Sequence, residues 1–421
     1  MSQQVYSTLS GGQRRRLALA EELMGDPPIL LLDELTSGLD PHSDTEMMQW
    51  LADLARKTGK TIILVTHSLA HLAYCDRVLF MAVGKLVYDG PYEGIASYFN
   101  EDSIEDIYKE ADRLTAWPQP NTGSGVVQIV PLKTEKPPGP FGQFWPLLRR
   151  QWLLLIRDRS QLYLQLALVL TFPVLVAIFA TNGLPQVRNL SLKIEPNVLL
   201  TLTDQLSYLK ESFSAASLIS GLVMFQVILI TLMGANNGAR EIAKERDLVC
   251  KELRVGLSAG AYLSTKVIQV GLLSLVQGVW MTVFVRTLCG FPGDLITQCL
   301  ILSGTAFAMS ISCLAISAAV KSPERASLLA IYLVGLQLPL SGAVLALPVV
   351  LSWITRPLIA AYWGWSGYLK SFANLRHYDV VKQATNTYIA EVDFAYLVLG
   401  MHVFVGVLLA RYFLGNVARA S

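Results

Sequence analysis

The sequence predicts an α/β domain followed by an all-α membrane domain of six helices. Only 16% of the 421 residues are charged and 52% are hydrophobic, whereas soluble domains usually carry about 25% charged residues. Long apolar runs begin only at about residue 162, while charges are spread through residues 1–114. This composition excludes a disordered chain and a purely soluble globule. The net charge of +2 gives no support for a nucleic-acid partner.

Composition also predicts the domain boundaries. Residues 1–114 are typical of a soluble domain, and residues 115–140 hold six prolines and three glycines, which is typical of a linker. Residues 141–161 combine arginines with Leu and aromatic residues, a pattern that favours an amphipathic helix at a membrane surface. Residues 162–421 form the predicted membrane domain.

Six apolar runs in that domain approach the length of a membrane span. About 20 helical residues cross a hydrocarbon core, and buried helices of a soluble protein are a poor alternative for so many such runs. Lys and Arg are more frequent in the segments that share a side with the N-terminus, which predicts that this side and both termini are cytoplasmic. The predicted spans are 162–181, 216–235, 268–288, 295–319, 327–348 and 394–414.

The soluble part begins with a pattern suited to binding an anion. Leu9 to Gln13 read LSGGQ and precede a segment with one apolar helical face, formed by Leu17, Ala20, Leu23 and Met24. Ser10 occupies the N-cap position, and the glycines that follow it let an anion approach the free backbone N–H groups of the first turn. A capped helix with nothing bound is the alternative for this pentapeptide taken alone.

Two predicted strands end in residues that suit phosphate chemistry. Residues 29–34 read ILLLDE and residues 61–66 read TIILVT, both typical of buried parallel strands. Ligands of open α/β sheets bind at the carboxyl ends of the strands. Asp33 is therefore placed to hold Mg²⁺, Glu34 to orient or deprotonate an attacking water, and His67 follows the second strand at the same edge.

Together these blocks resemble the nucleotide-binding domain of ABC transporters. LSGGQ at 9–13 matches the signature motif, ILLLDE at 29–34 the Walker B strand with its catalytic Glu, SGLD at 37–40 the D-loop, and His67 the switch histidine. The resemblance implies ATP and Mg²⁺ as cofactors, Asp33 as the metal residue, and Glu34 and His67 as catalytic residues. The nucleotide-binding residues that it implies are Ser10, Gly11, Gly12, Gln13 and Asp40.

The phosphate-binding loop of this family is not found in the sequence. No G-x-x-x-x-G-K-[ST] occurs in the 421 residues, although this loop cradles the phosphates in P-loop proteins. The soluble part is thus predicted to be the second half of a P-loop nucleotide-binding domain, from a truncated gene model, a split gene or a short protein. The chain alone is predicted to hydrolyse no ATP.

The missing part also predicts a gap in the sheet. In the family the strand before the phosphate-binding loop lies between the strands that correspond to 61–66 and 77–82, so we expect a gap between these two strands.

The domain order resembles the G subfamily (white-type half-transporters) with its ABC-2 type membrane domain. That resemblance implies a homodimer or heterodimer with another half-transporter in the bilayer, exporting a lipid-like or amphipathic substrate. A catalytically incomplete regulatory subunit remains the alternative. The long segment 349–393 between the last two runs is rich in aromatic residues, which favour the membrane interface.

Two further residue sets follow from the same resemblance. Glu241, Glu245 and Arg246 lie in a charged segment that resembles the helix through which the nucleotide-binding domain is coupled to the spans; a solvated helix with i,i+4 pairs is the alternative. Polar residues within the spans are candidates for a substrate path, and helix–helix hydrogen bonding is the alternative reading for each. The set singled out in the second and fifth spans is Phe225, Gln226 and Gln337.

Overall fold

The computed structural model describes residues 10–35, 41–66, 71–82, 85–99, 138–180, 198–344, 347–385 and 387–420. The chain divides into two compact units, Met1–Leu132 and Lys133–Ser421. The first contains a small α/β structure and the second is helical, as the sequence predicts.

The first unit alternates helices and strands. Its elements are α1 (Gly11–Leu23), β1 (Ile29–Asp33), α2 (Pro41–Thr58), β2 (Thr61–Val65), β3 (Val78–Ala82), β4 (Lys85–Gly90) and α3 (Ile95–Phe99).

Its described strands form two separate sheets of two strands each. β1 and β2 are parallel, with Ile29 opposite Thr61 and Asp33 opposite Val65, so the prediction that their carboxyl ends lie at the same edge of a sheet is confirmed. β3 and β4 are antiparallel. In the described residues β2 and β3 lie in different sheets, which agrees with the gap expected between them.

The parallel sheet is covered on one face only. Leu30 packs with residues of α1 and α2 in a small core. On the opposite face, Leu31 is 73% exposed and Val65 is 59% exposed. A two-stranded sheet is marginally stable by itself, and here its second face lacks an apolar cover in the described part of the unit.

Helix α1 is capped as predicted but buries a different face. The Ser10 hydroxyl accepts from the Gln13 N–H, and the Gln13 side-chain oxygen accepts from the Ser10 N–H, a complete capping box. Most of the predicted apolar face is wrong, because Leu17, Ala20 and Met24 are exposed and Leu19 is buried, and only Leu23 of that face packs partly against the core. The small core formed with β1 and α2 determines which face of α1 is buried. The spacing of apolar residues within α1 alone does not predict that face.

We expect limited proteolysis of the detergent-solubilised protein to cut within residues 1–140 first. The reason is that the first unit has two small sheets and a bare apolar face, so it opens locally at low cost. Trypsin digestion followed by mass spectrometry should leave a resistant fragment that starts near residue 141. A resistant 1–114 fragment with a cooperative melt would contradict this expectation.

The second unit consists of helices. They are α4 (Pro140–Arg157), α5 (Arg159–Ala180), α6 (Val198–Gly238), α7 (Arg246–Arg254), α8 (Ala259–Cys289), α9 (Leu295–Ala319), α10 (Pro323–Leu340), α11 (Val349–Thr355), α12 (Ala360–Lys370), α13 (Arg376–Ala384) and α14 (Val392–Ala420).

Five helices of the described residues are long and apolar enough to cross a membrane, and they contain α5, α6, α8, α9 and α14. Five predicted spans lie in these helices, although α6 begins well before residue 216. The predicted span 327–348 is not one helix, because α10 ends at Leu340. Pro339 and the positive φ of Gly342 (+73°) mark that end. A separate helix, α11, follows Pro348.

Helix α9 lies at the centre of this unit and packs against α6, α8 and α14. Its approach to α6 depends on glycine. A Cβ atom added at Gly238 would lie 2.1 Å from the carbonyl oxygen of Ser310, and one at Gly234 would lie 2.4 Å from that of Ala306. Small residues let helix backbones approach closely in membranes.

The aromatic segment 349–393 is helical and most of its rings are buried within the unit, while its place at the membrane interface stays a prediction. It forms α11, α12 and α13. The side chains of Tyr362, Trp365 and Tyr368 are almost completely buried in the main core, whereas Trp353 remains exposed. The Trp365 Nε1 donates to the Ser220 hydroxyl of α6 at 3.2 Å, which satisfies its polar group.

Candidate functional site

The N-terminus of α1 has the geometry of an anion site. Ser10 has an extended backbone (φ −64°, ψ 162°) and its side chain caps the Gln13 N–H. The N–H groups of Gly11 and Gly12 belong to the first turn, where no intrahelical acceptor exists. These two donors and the helix dipole favour a phosphate group in front of the helix.

The carboxyl end of β1 presents the two acidic residues. Asp33 ends the strand, and Glu34 follows with its backbone N–H donating to the Val65 carbonyl of β2 at 2.9 Å. Glu34 has a φ of +46°, in the left-handed region that is costly for a residue with a side chain. Such strain is concentrated at functional sites. Sequence patterns gave no indication of this conformation.

The predicted residues His67 and Asp40 lie outside the described residues. The described segments that follow them begin at residues 41 and 71, and a histidine–carboxylate pair joins these segments. This pair was not predicted from the sequence. His71 Nε2 lies 3.0 Å from the Asp44 carboxylate at the start of α2, and both side chains are mostly buried. This contact connects the helix that follows the SGLD motif with the chain that follows the histidine.

The N-terminus of α1 and the acidic end of β1 together supply part of what an ATP site with Mg²⁺ requires. The glycine donors of α1 suit phosphate oxygens, and Asp33 has carboxylate oxygens of the kind that Mg²⁺ binds, with Glu34 next to it. Among the described residues no group of three or more His, Cys, Asp or Glu side chains could hold a metal ion. Magnesium in nucleotide sites is bound by one or two carboxylates plus phosphates and water, so Asp33 would hold the ion only together with a nucleotide.

In the second unit, the predicted coupling residues Glu241 and Glu245 are bound to a buried lysine. Lys266 of α8 has no exposed surface, and its Nζ donates to Glu241 at 3.0 Å, Glu245 at 3.2 Å and Gln151 of α4 at 2.8 Å. The Tyr262 hydroxyl donates to Glu245 at 3.2 Å. We call these five residues the Lys266 cluster. It joins α4, α8 and the segment after α6.

Two neighbouring contacts extend this junction. Arg150 of α4 pairs with Glu252 of α7. Burial lowers the pKa of the Arg150 guanidinium, but the hydrogen bond and charge of Glu252 outweigh burial and raise that pKa overall. Arg246 donates to the carbonyls of Ala318 and Val320 at 3.0 and 2.9 Å, which neutralises the C-terminus of α9.

The three candidate substrate-path residues are packed inside the chain. Gln226 is completely buried near the Tyr368 hydroxyl of α12. The Gln337 side-chain oxygen accepts from the Ala361 N–H at 3.0 Å, at the start of α12. Phe225 is partly buried and packs edge-on against Phe179, with ring centres 5.7 Å apart. Gln337 therefore caps a helix, and the roles of all three in transport remain predictions.

Other polar residues of the spans bind each other. Gln165 of α5, Asn237 of α6 and Gln277 of α8 form a closed triangle of amide hydrogen bonds of 2.8–3.2 Å. Ser310 of α9 lies 3.5 Å from Asn237. For Gln165 and Gln277 this is the helix–helix bonding that was the alternative to a substrate path.

Comparison with known proteins identifies both parts of the chain. Residues 142–368 match the family model for "ABC-2 type transporter", and residues 4–73 match the model for "AAA domain, putative AbiEii toxin, Type IV TA system". The fold and the motifs define a membrane protein with a partial ABC-type ATPase domain. The chain belongs to the ABC-2 type transporter family.

Curated relatives agree with this assignment. The chain is 30% identical over 394 residues to the ABC transporter ATP-binding/permease protein Rv1747 of Mycobacterium tuberculosis, covering 85% of the chain and 41% of that relative. It is 52% identical over 135 residues to the energy-coupling factor transporter ATP-binding protein EcfA2 of Lacticaseibacillus paracasei, covering 29% of the chain and 47% of that relative. The chain thus spans less than half the length of these relatives.

Proposed function

We propose that this chain is a half-transporter subunit of the G-subfamily type that exports a lipid-like or amphipathic substrate with ATP as the energy source. The observation that carries the proposal is the capped, glycine-rich N-terminus of α1 in a chain whose membrane unit has span-length helices. In this family a signature motif completes the ATP site of the opposite subunit. Ser10, Gly11 and Gly12 would therefore act on a nucleotide held by a partner.

Each remaining residue then has a stated role. Asp33 would hold Mg²⁺, Glu34 and His67 would act on the attacking water, and Asp40 would lie at the contact between the subunits. The nucleotide-binding part and both termini are assigned to the cytoplasm by the distribution of Lys and Arg. ATP binding would bring the two nucleotide-binding domains together, and hydrolysis would separate them.

The coupling segment supports the same proposal. Because the Lys266 cluster joins α4 to α8 and to the segment after α6, a displacement of that segment is transmitted to two helices at once. A regulatory subunit without activity of its own is the second candidate, favoured by the absence of a G-x-x-x-x-G-K-[ST] motif from the 421 residues.

Transport by a reconstituted pair tests the proposal. We expect proteoliposomes that contain this chain and a P-loop-bearing half-transporter to move a fluorescent phospholipid between leaflets when ATP is added, and not with a non-hydrolysable analogue. Dithionite quenching of the outer leaflet measures the movement. If the partner alone moves lipid at the same rate as the pair, the export role is wrong and the regulatory role is supported.

A further inference from the structure

The membrane unit contains a large lateral groove that none of the roles above uses. Its volume is about 1270 Å³, and α9, α10, α11 and α14 contribute to its walls. The small residues Ser312, Ala315 and Ala319 of α9 form part of its lining. On α14 the lining extends from Phe394 to Phe413, which is about 28 Å of helix rise. The groove therefore follows most of the thickness of a hydrocarbon core of about 30 Å.

The groove is mostly apolar and has one charged end. Arg356 is the one Lys or Arg among its described lining residues, and none of these residues is acidic. His402 of α14 also lines the groove, with a buried Nε2 that has no hydrogen-bond partner among the described residues. The guanidinium lies 5.3 Å from the ring centre of Tyr362. Among the described residues Arg356 takes part in no ion pair.

Aromatic residues fix this end in place. The Trp363 Nε1 donates to the Arg356 carbonyl at 2.7 Å, and the Trp363 ring packs against Phe394 with centres 5.3 Å apart. Arg356 therefore lies at the level where α14 begins. Trp and Tyr side chains gather at the membrane interface, and α14 is a helix of span length, so a position near its first residues favours headgroup depth for the cation and greater depth for the apolar walls.

We propose that this groove binds one anionic membrane lipid, with its phosphate at Arg356 and an acyl chain along α14. The single cation at one end of an apolar channel matches an amphiphile with one charged head. A helix from a second copy of this chain would leave Arg356 desolvated and unpaired, which is costly. A free phosphate ion would gain nothing from the apolar walls.

Native mass spectrometry of the protein released from nanodiscs tests this assignment. The nanodiscs contain equal amounts of phosphatidylglycerol and phosphatidylcholine. We expect one phosphatidylglycerol retained per protomer, with about a fivefold preference over phosphatidylcholine, the size expected for one basic residue near an anionic headgroup. Arg356→Gln should remove the preference. Met401→Trp should remove the bound lipid, because Met401 lines the groove and is 55% exposed.

Two matched variants serve as controls. Arg376→Gln removes an exposed arginine outside the groove, and Leu408→Trp adds a ring on α14 at a residue that is 50% exposed and does not line the groove. Both should retain phosphatidylglycerol as the parent does. Equal retention by all variants, displacement of the lipid by inorganic phosphate, or a change of oligomeric state in Met401→Trp without lipid loss would each overturn the proposal. If Met401→Trp fails to fold, the Arg356→Gln and Arg376→Gln pair still decides it.

Discussion

Replacing Ser10 by Arg is expected to lower ATP hydrolysis by a mixed dimer about a hundredfold or more, while Glu34→Gln leaves it nearly unchanged. The mixed dimer consists of this chain and a partner with its own P-loop, Walker B strand and switch histidine. By the proposed site assignment, this chain contributes the signature motif at the N-terminus of α1 to the site that uses the partner's P-loop. Loss of preorganised donors that face a reacting group costs rates of that order.

The structure explains why Ser10 is the sensitive position. Its hydroxyl and the Gln13 side chain form the capping box that holds the first turn of α1, and a long side chain at this position fills the space in front of Gly11 and Gly12. Glu34 would serve only the second site, for which the 421 residues supply no phosphate-binding loop. For the same reason the chain expressed alone should show no ATPase activity above background.

Three variants make this test specific. Ser10→Thr keeps the hydroxyl and should retain hydrolysis, and Ser97→Arg adds the same charge at an exposed residue of α3 and should also retain it. Vanadate-sensitive phosphate release measures the rates. The opposite pattern, with Glu34→Gln inactive and Ser10→Arg active, would show that the assignment of the two sites is wrong.

Much of this fold can be predicted from local sequence. The two parallel strands follow from apolar runs that end in polar residues, and their carboxyl ends lie at the same edge as expected. The N-cap follows from Ser10 and the two glycines after it, whereas the reciprocal hydrogen bond from Ser10 N–H to the Gln13 side chain was not predicted. The span-length helices follow from hydropathy. Each of these features depends on neighbours within a few residues or on composition.

Features that depend on distant contacts could not be predicted. The burial of most aromatic rings in residues 349–393 is one such feature, because aromatic rings suit both an interface and a core; contacts with α6 and α9 bury them here. Similarly, Glu241 and Glu245 fit a solvated helix with local pairs, but their partner Lys266 is 25 and 21 residues away. Helical periodicity contains no information about such partners.

Replacing Lys266 by Met is expected to lower the free energy of unfolding of the solubilised protein by about 3–5 kcal/mol, the cost of breaking a buried ion pair by removal of one partner. Lys266 is fully buried, and its three Nζ donors are all used. The ammonium also lies 5.9 Å from the ring centre of Tyr262. Met fills a similar volume but leaves two carboxylates side by side without a cation.

Thermal unfolding in detergent, followed by intrinsic fluorescence, measures this loss of stability. The control is Lys251→Met, which removes an exposed lysine of α7. This control should change the free energy of unfolding by less than about 0.5 kcal/mol. Adding Glu241→Gln and Glu245→Gln to Lys266→Met should recover most of the loss, because the repulsion between the carboxylates disappears while their hydrogen-bonding groups remain. Equal melting temperatures for Lys266→Met and Lys251→Met would mean that the charge cluster contributes no stability. In that case the rigid connection between α4, α8 and the segment after α6, on which the proposed coupling through Glu241 and Glu245 depends, would have to come from apolar packing alone.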